Sequence, residues 1–309
     1  MIIDTHMHLW DRITGDTGEP VRSLGNGMIA IGDQKMLGMP PYLQDGRAPC
    51  ELFISVMDAA GVDAAVVTQE YLDGNQNEYL ADVQNKHPGR FFVHGLLEFR
   101  RPDGLADEFQ EVAERYGFRG IKLPASYLAE ADPRIRLTDP RLMTVFQQME
   151  NHRMILSIDL ASGGTQVQEM RDVTRSFPEL TVVLGHFAMA NREGWPEQLS
   201  LAKEPNIYVE SGGITWLFRT EGPSFPGAQE AFRTAVERVG ADKLMWGSDF
   251  PRTMVDFTYE QTLDFLLHGC TFLGGDEKNA ILGGTAMKLF GFQKPEAERQ
   301  RPKKITELG

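Results

Sequence analysis

The stretch that decides the fold is residues 1–10, Met1-Ile2-Ile3-Asp4-Thr5-His6-Met7-His8-Leu9-Trp10, a short apolar run that ends in a His-x-His pair. It predicts a β-strand. Because successive side chains of a strand point to opposite faces, His6 and His8 are expected to share a face, with Asp4 below them on it. Two imidazoles then converge at one strand end. Such a pair can hold a metal ion, position a water molecule or bind an anion.

Beyond residue 47 the chain alternates short apolar runs with amphipathic stretches. The apolar runs, each predicted to be a strand, are residues 62–68, 90–99, 118–123, 154–160, 180–187, 206–211 and 243–250. Helical periodicity separates them, as in residues 49–60, and Asp139-Pro140 is typical of a helix start. With residues 1–10 there are eight strands, which predicts an α/β fold, a single-domain (β/α)8 TIM barrel. An open doubly wound sheet would carry a glycine-rich turn where this chain has His6-Met7-His8.

We expect the barrel to span residues 1–292. Residues 11–47 are rich in Gly and Pro and show no clear periodicity. So long a connection after a strand that carries candidate active-site residues predicts a long loop or lid. Residues 293–309 are polar and mixed in charge, which predicts a surface tail or an arm onto a neighbouring subunit.

Composition and charge restrict the partners. The formal net charge is -13, which argues against nucleic acid or an anionic membrane as partner, because both need a basic surface. No apolar run approaches the roughly 20 residues that cross a bilayer, and the N-terminus lacks a secretory pattern, so a cytoplasmic location is expected. Cys50 and Cys270, the two cysteines, are predicted to be buried thiols. A small anionic substrate stays compatible with this charge if basic residues line a cleft.

Polar residues at the carboxyl ends of the strands identify the candidate site, because the active sites of such barrels lie at that face. These residues are His6 and His8, Lys122, Asp159, His186 and Asp249. Charged groups that end apolar strands are costly unless they are paired or used. Lys122 could instead extend out of the barrel rim, and Glu210 is ambiguous because Ser211 could be the inward residue. His94 is expected to be structural, and the remaining histidines, His87, His152 and His268, are expected at the surface.

Three arginines near this face, Arg192, Arg219 and Arg252, are predicted with Lys122 and Asp159 to bind the substrate. Arginine suits a bidentate grip on a carboxylate. The predicted substrate is therefore a small anionic molecule.

The sequence resembles the amidohydrolase superfamily in its His6-Met7-His8, in His186, in Gly247-Ser248-Asp249-Phe250-Pro251 and in the closing residues 281–290. Within it the chain resembles the amidohydrolase-related branch. That branch contains aminocarboxymuconate semialdehyde decarboxylase, hydroxybenzoate-type decarboxylases, and lactonases for pyrone dicarboxylates and sugar lactones. The likeness covers residues 1–292. It is also compatible with assembly into a homodimer.

The resemblance leaves two possibilities for the site, with a bound metal ion and without one. Metal-dependent members hold a divalent ion with the His-x-His pair, a strand-five histidine and the strand-eight aspartate, while the strand-six histidine assists the chemistry. His6, His8, His186 and Asp249 match, but Asp159 or a neighbour stands where the strand-five histidine would be. Lactonases of the branch include members that lack this ligand and work without a metal. The expectation is therefore either no metal or one Zn²⁺ or Mn²⁺ on His6, His8 and Asp249, with the metal-free form favoured.

The leading hypothesis is hydrolysis of a lactone, favoured for a dicarboxylate or an aromatic-acid-derived lactone. Asp249 would deprotonate a water molecule, while His186 and His6 or His8 polarise the carbonyl group. The alternative is a metal-dependent decarboxylase of an aromatic or muconate-type acid, with Asp159 as a further ligand. A third hypothesis, from another class, is a non-catalytic barrel that binds a small molecule.

Overall fold

The structure, a computed structural model, describes residues 1–222 and 224–294, and it confirms the (β/α)8 barrel. The strands are β1 (Ile3–His8), β2 (Val21–Gly25), β3 (Met28–Ile31), β4 (Gln34–Leu37), β5 (Ala64–Thr68), β6 (Phe91–Leu96), β7 (Gly120–Leu123), β8 (Ile155–Ile158), β9 (Thr181–Leu184), β10 (Ile207–Glu210) and β11 (Leu244–Met245). β1 and β5 to β11 form one parallel sheet in chain order. The sheet closes where Thr5 N donates to Trp246 O at 2.9 Å and His8 N donates to Phe250 O at 2.7 Å.

Helices follow the barrel strands. The α-helices are α1 (Cys50–Ala60), α2 (Asn77–Lys86), α3 (Leu105–Gln110), α4 (Leu128–Ala131), α5 (Pro140–Asn151), α6 (Thr165–Ser176), α7 (Trp195–Leu199), α8 (Ile214–Leu217), α9 (Pro226–Val239), α10 (Tyr259–Asp264), α11 (Gly275–Asn279) and α12 (Thr285–Phe290). Wider π-helical turns continue three of them, at Glu111–Arg115, Phe265–Gly269 and Ala280–Gly284. Short 3-10 turns lie at Ala125–Tyr127, His186–Ala188, Ser200–Lys203, Arg219–Glu221, Ala241–Lys243 and Arg252–Val255.

Local sequence chemistry sets several helix ends. Asp139 caps α5 as expected, since its carboxylate accepts from Arg141 N at 2.9 Å and Pro140 occupies the first turn. Thr258 caps α10 with a reciprocal bond from Gln261, the capping-box pattern. Gly61 ends α1 with a φ of 71°, a conformation that glycine adopts at little cost.

The interior at the amino ends of the strands is a separate apolar cluster. It contains Ile3, Ala64, Val66, Ile155, Val183 and Met245, packed against Ala286 and Phe292 from the C-terminal part of the described chain. Phe92 and Phe290 meet there at 4.8 Å between ring centroids. Apolar side chains, both aliphatic and aromatic, therefore fill this end of the barrel.

The expectation that Asp4 shares a face with His6 and His8 is wrong. The pairing of β1 with β5 shifts register between Asp4 and Met7, so the strict alternation of side chains fails there. Ile3 joins the interior cluster, whereas Asp4 accepts from Ser248 Oγ at 2.6 Å and from Tyr259 OH at 2.9 Å. Asp4 thus lies behind the active face.

The insertion, residues 11–47, contains a small antiparallel sheet of β2, β3 and β4, where the sequence pattern predicted a long loop or lid. Asn26 and Gly27 connect β2 to β3 with φ values of 51° and 77°. Positive φ at both positions is the pattern of a tight hairpin turn, and Asn-Gly is its strongest sequence signal. Trp10 and Ala48 hold the base of the insertion through a pair of backbone hydrogen bonds of 3.0 and 3.1 Å.

In the part of the chain that the structure describes, none of the helices combines the length and the apolar character that spanning a bilayer requires. The predicted tail, residues 293–309, lies almost wholly outside the described residues, which end at Lys294.

Candidate active site

Three of the predicted catalytic residues meet at the carboxyl end of β1. His6 Nε2 and His8 Nε2 are 3.2 Å apart, and Asp249 Oδ1 is 3.7 Å from the first and 3.2 Å from the second. Asp249 follows β11 in the left-handed region, with a φ of 58°, and its N–H donates to His6 O at 2.8 Å. The backbone therefore fixes Asp249 against the His-x-His strand.

Glu210 holds His6 from behind. Glu210 Oε1 lies 2.7 Å from His6 Nδ1 and accepts from the backbone N–H of His186 at 2.8 Å, while Oε2 accepts from Gly212 N. Burial raises the pKa of Glu210 to about 7, and burial with the nearby positive groups keeps the pKa of His6 well below its usual range. Glu210, rather than Ser211, is thus the residue at the end of β10 that faces the site, and it orients the Nε2 atom of His6 toward Asp249.

His8 is held by a second carboxylate, Asp73. His8 Nδ1 lies 3.1 Å from Asp73 Oδ2, and the other oxygen of Asp73 contacts Arg252. Burial lowers the pKa of His8, but its contacts with Asp249 and Asp73 outweigh this and raise the pKa to about 9. In this arrangement His8 is a cationic donor that faces Asp249.

His186 and Trp216 complete this end of the site. His186 Nδ1 is 3.0 Å from Gly212 O, and because a carbonyl oxygen can only accept, this nitrogen carries the proton. The indole N–H of Trp216 donates to Asp249 Oδ2 at 2.7 Å, which turns Oδ1 toward the two imidazoles. Burial raises the pKa of Asp249, but the hydrogen bond from His8 and the neighbouring imidazoles lower it to about 2. Asp249 is therefore ionised.

Lys122, Asp159 and Glu70 form an ion cluster beside these residues. Lys122 is completely buried, with Nζ 2.6 Å from Asp159 Oδ2 and 3.7 Å from Glu70 Oε1. Burial alone would raise the pKa of Asp159, but Lys122 and His186 hold it well below its usual range; burial and Asp159 raise the pKa of Glu70 well above its own. Lys122 thus lies beneath the cavity wall, whereas Asp159 and Glu70 line the cavity.

An open cavity of about 650 Å³ lies over both groups. His8, His186 and Asp249 line its reactive end. All three predicted arginines also line it, but Arg252 is already engaged with Asp73 and with Gly38 O, while Arg219 donates to Trp216 O at 3.2 Å. Further lining residues are Ile29, Met36 and Leu37 of the insertion, Leu72, Tyr127, Glu130, Leu160 and Met189.

The donor set of His6, His8 and Asp249 fits a divalent ion. The ligand atoms of the three lie within 4.8 Å of one another, and Asp249 Oδ1 lies 3.7 Å from His6 Nε2 and 3.2 Å from His8 Nε2. Two imidazole nitrogens and one carboxylate oxygen suit Zn²⁺, and a carboxylate behind each histidine is usual at such sites. Asp159 belongs to another group of potential ligand atoms, with Glu70 and His186.

Three residues of the site were missed in the sequence. Glu70 lies two residues after the second barrel strand, so the pattern of polar residues at strand ends also points to it, whereas Asp73 lies five residues after that strand and carries no such signal. Trp216 carried no such signal, since a tryptophan in a short helix is ordinarily a core residue. Its role depends on where α8 places it.

Comparisons with known proteins identify the family and the fold. The family model described as amidohydrolase matches residues 3–292. The L-fucono-1,5-lactonase of Burkholderia ambifaria is 26% identical over 307 residues, which cover 96% of this chain and 98% of that protein.

Two solved structures share the fold. A probable 2-pyrone-4,6-dicarboxylic acid hydrolase from Acinetobacter baumannii superposes with a TM-score of 0.69 at 20% identity, covering 94% of this chain and 99% of that one. The 5-carboxyvanillate decarboxylase of Sphingomonas paucimobilis gives a TM-score of 0.63 at 17% identity, with the same coverage of 94% and 99%. The shared fold therefore hosts both kinds of reaction, and the residues of the site must decide between them.

Proposed function

The chain belongs to the amidohydrolase family, and from this premise we propose that it is a hydrolase that opens a small, polar lactone by attack of a water molecule. The observation that carries the proposal is the ionised Asp249, whose Oδ1 lies at the cavity end between His6 and His8. A bound water molecule there would have an acceptor for its proton and a cationic donor beside it. The fuconolactonase relative supports a cyclic ester as the substrate.

The proposed reaction gives each residue one role. Asp249 accepts a proton from the water molecule as its oxygen attacks the acyl carbon of the lactone. The N–H of His8 stabilises the negative charge that develops on the carbonyl oxygen. The bond from the acyl carbon to the ring oxygen then breaks, and the proton that Asp249 accepted is delivered through His186 to the alkoxide, which leaves Asp249 ionised again. The product is an open-chain hydroxy acid.

A divalent ion is compatible with the same residues. A pKa of about 2 makes Asp249 a weak base, and an ion held by His6, His8 and Asp249 would lower the pKa of a bound water molecule toward about 7. Glu210 and Asp73 would keep both imidazoles oriented toward it. The metal-free form favoured from the sequence stays a prediction, which metal analysis of the protein tests directly.

The polar groups of the cavity wall favour hydroxyl groups on the substrate. Of the four cations predicted to bind a carboxylate, Lys122 and Arg252 are paired with carboxylates of the chain itself. Arg192 and Arg219 are therefore proposed to hold any anionic group, and Asp159 and Glu70 to accept hydrogen bonds from hydroxyl groups. This revises the preference for a dicarboxylate toward a hydroxylated lactone.

The decarboxylase alternative loses one of its supports. Asp159 was its optional further metal ligand, but Asp159 pairs with Lys122 and lies in a different cluster from His6 and His8. We therefore propose the lactonase alone.

The test is acid release from a panel of lactones, followed with a pH indicator, on protein whose metal content is measured in the same sample. The panel includes L-fucono-1,5-lactone, other sugar lactones and 2-pyrone-4,6-dicarboxylate. Asp249→Asn should reduce kcat by about 10²–10⁴-fold, because it removes the proton acceptor. The matched control is Asp256→Asn, an exposed carboxylate on the rim of the same cavity, which should retain activity.

Two results would contradict the proposal. One is CO₂ release from an aromatic acid with every lactone left intact, which would make the protein a decarboxylase. The other is lactone hydrolysis that Asp249→Asn leaves unchanged. Loss of activity after chelation, restored by Zn²⁺ or Mn²⁺, would show that the ion takes part.

A further inference from the structure

Arg252 joins three separate parts of the chain. Its Nη1 donates to Gly38 O of the insertion at 2.6 Å, its Nη2 contacts Asp73, and its guanidinium lies 5.0 Å over the ring of Trp10. The planar guanidinium holds several acceptors in fixed relative directions. One side chain thus links Gly38 of the insertion directly to Asp73.

Asp73 continues the connection to the active site. Its carboxylate is buried and lies between Arg252 and His8, with Oδ1 toward the first and Oδ2 at 3.1 Å from Nδ1 of the second. The backbone of this loop is also bonded to the insertion, since Thr14 N donates to Asp73 O at 3.1 Å and Asp16 N donates to Tyr71 O at 3.0 Å. Two independent sets of contacts thus tie His8 to the insertion.

The insertion forms part of the cavity wall. Ile29 of β3, Met36 and Leu37 of β4 and Gly38 all line the cavity that holds His8 and Asp249. Met36 and Leu37 are more than a third exposed, at 37% and 42%, so a molecule in the cavity could cover them further. Substrate contact with this hairpin would then act on Gly38, which directly follows β4.

We propose that Arg252 and Asp73 are positioning residues that connect the β3–β4 hairpin of the insertion to His8, so that contact between substrate and hairpin sets the orientation of the His8 ring. The kinetic part of this proposal rests on the proposed lactonase function. It assigns Arg252 a different role from the carboxylate binding predicted from the sequence.

The two roles of Arg252 give different kinetics. Arg252→Gln is measured on a lactone with a carboxylate and on one without. Positioning predicts that kcat falls by the same factor, about 10–100-fold, on both substrates, with little change in KM. Carboxylate binding predicts a rise in KM on the charged lactone alone, and that result would overturn the proposal. Arg252→Lys keeps the charge without the planar fork and should also reduce kcat.

A second measurement does not depend on turnover. Hydrogen exchange of the backbone amides of residues 28–38 is compared between the wild type, Arg252→Gln, Asp73→Asn and the control Asp256→Asn. Loss of a hydrogen bond to a charged group should accelerate exchange in this hairpin about tenfold in the first two variants and leave the control unchanged.

The exchange experiment separates the two proposals. If the wild type opens no lactone but Asp73→Asn loosens residues 28–38, the lactonase proposal fails and the connection stands. If exchange in the hairpin is unchanged in both Arg252→Gln and Asp73→Asn, the connection is wrong whatever the enzyme hydrolyses. Circular dichroism and thermal unfolding of each variant show that the compared proteins are folded.

Discussion

The two ends of the barrel interior differ in composition although the same strands build them. β1 brings Ile3 to the apolar end and His6 and His8 to the other; β8 brings Ile155 and is followed by Asp159. The same order, an apolar residue followed by a polar one, is found in β9 with Val183 and His186 and in β11 with Met245 and Asp249. These four strands therefore begin in the apolar cluster, and each ends in or is followed by a polar residue of the site.

This difference suggests that the apolar end of the barrel interior serves stability and the polar end serves the reaction. Burial of aliphatic side chains stabilises the fold, whereas buried ionisable groups cost free energy unless they are paired. The apolar end is then expected to supply stability without touching the chemistry. The polar end is expected to tolerate its charges only because Lys122, Glu210 and Asp73 pair with them.

The largest predicted effect is a loss of stability caused by a substitution at the polar end. It would contradict the view that only the apolar end stabilises the fold. Lys122→Met leaves Asp159 and Glu70 facing each other without their shared cation. Removing one partner of a buried ion pair typically costs about 3–5 kcal/mol. Equilibrium unfolding in urea should therefore show a large loss of stability, although the new side chain is apolar.

The control for Lys122→Met is the double variant Lys122→Met with Asp159→Leu, which removes both charges of the closest pair. It should recover most of the lost stability, since replacing a whole buried pair by apolar residues is often neutral. An unchanged urea midpoint in the single variant would mean that this cluster is already solvated.

The next prediction tests whether the apolar end affects stability without affecting catalysis. Ile155→Ala removes an aliphatic side chain from the apolar end and should cost about 3 kcal/mol in the free energy of unfolding. The kcat of the folded variant, measured well below its melting temperature, should equal that of the wild type. Ile155→Val should cost only about 1 kcal/mol. A fall in kcat in both variants would show that the apolar end also shapes the site.

The same contrast explains what the sequence could predict. Apolar runs with a polar residue at the carboxyl end were enough to locate the barrel and to bring His6, His8, His186 and Asp249 together. They worked because side chains at equivalent strand ends must converge when eight parallel strands close. The sequence did not determine whether Glu210 or Ser211 faces the site, because the two are adjacent and only the exact register of β10 distinguishes them.

The remaining differences come from irregular backbone and from long-range pairing. The register shift in β1 sends Asp4 behind the site, and alternation alone cannot reveal such a shift. Arg252 looked like a substrate ligand because its partners, Gly38 and Asp73, are remote in sequence and reach it only through the fold. Trp216 is likewise defined by the position of α8.

The smallest predicted effect concerns His94, the residue that crosses the boundary between the two ends. It is buried, with its ring 5.3 Å from that of Phe92 and 6.0 Å from that of Phe290, measured between centroids. Burial, followed by the positive charge of Lys122, lowers its pKa from the ordinary 6.5 to about 3. The folded protein therefore holds the neutral imidazole, while the unfolded chain takes up a proton as the pH falls below 6.5.

The sign of the effect follows from that difference in protonation. Above pH 6.5 the imidazole is neutral in both the folded and the unfolded state, so His94 makes no pH-dependent contribution to stability. Between pH 6.5 and about 3 only the unfolded state is protonated, so the free energy of unfolding decreases as the pH decreases. From pH 7 to pH 5 this amounts to about 2 kcal/mol. His94→Leu should remove that part of the pH dependence in urea unfolding, whereas His268→Leu, at an exposed histidine, should keep it. Equal pH slopes in the wild type and His94→Leu would mean that the imidazole is protonated inside the barrel, and the boundary between the apolar and the charged end would then lie deeper along the strands.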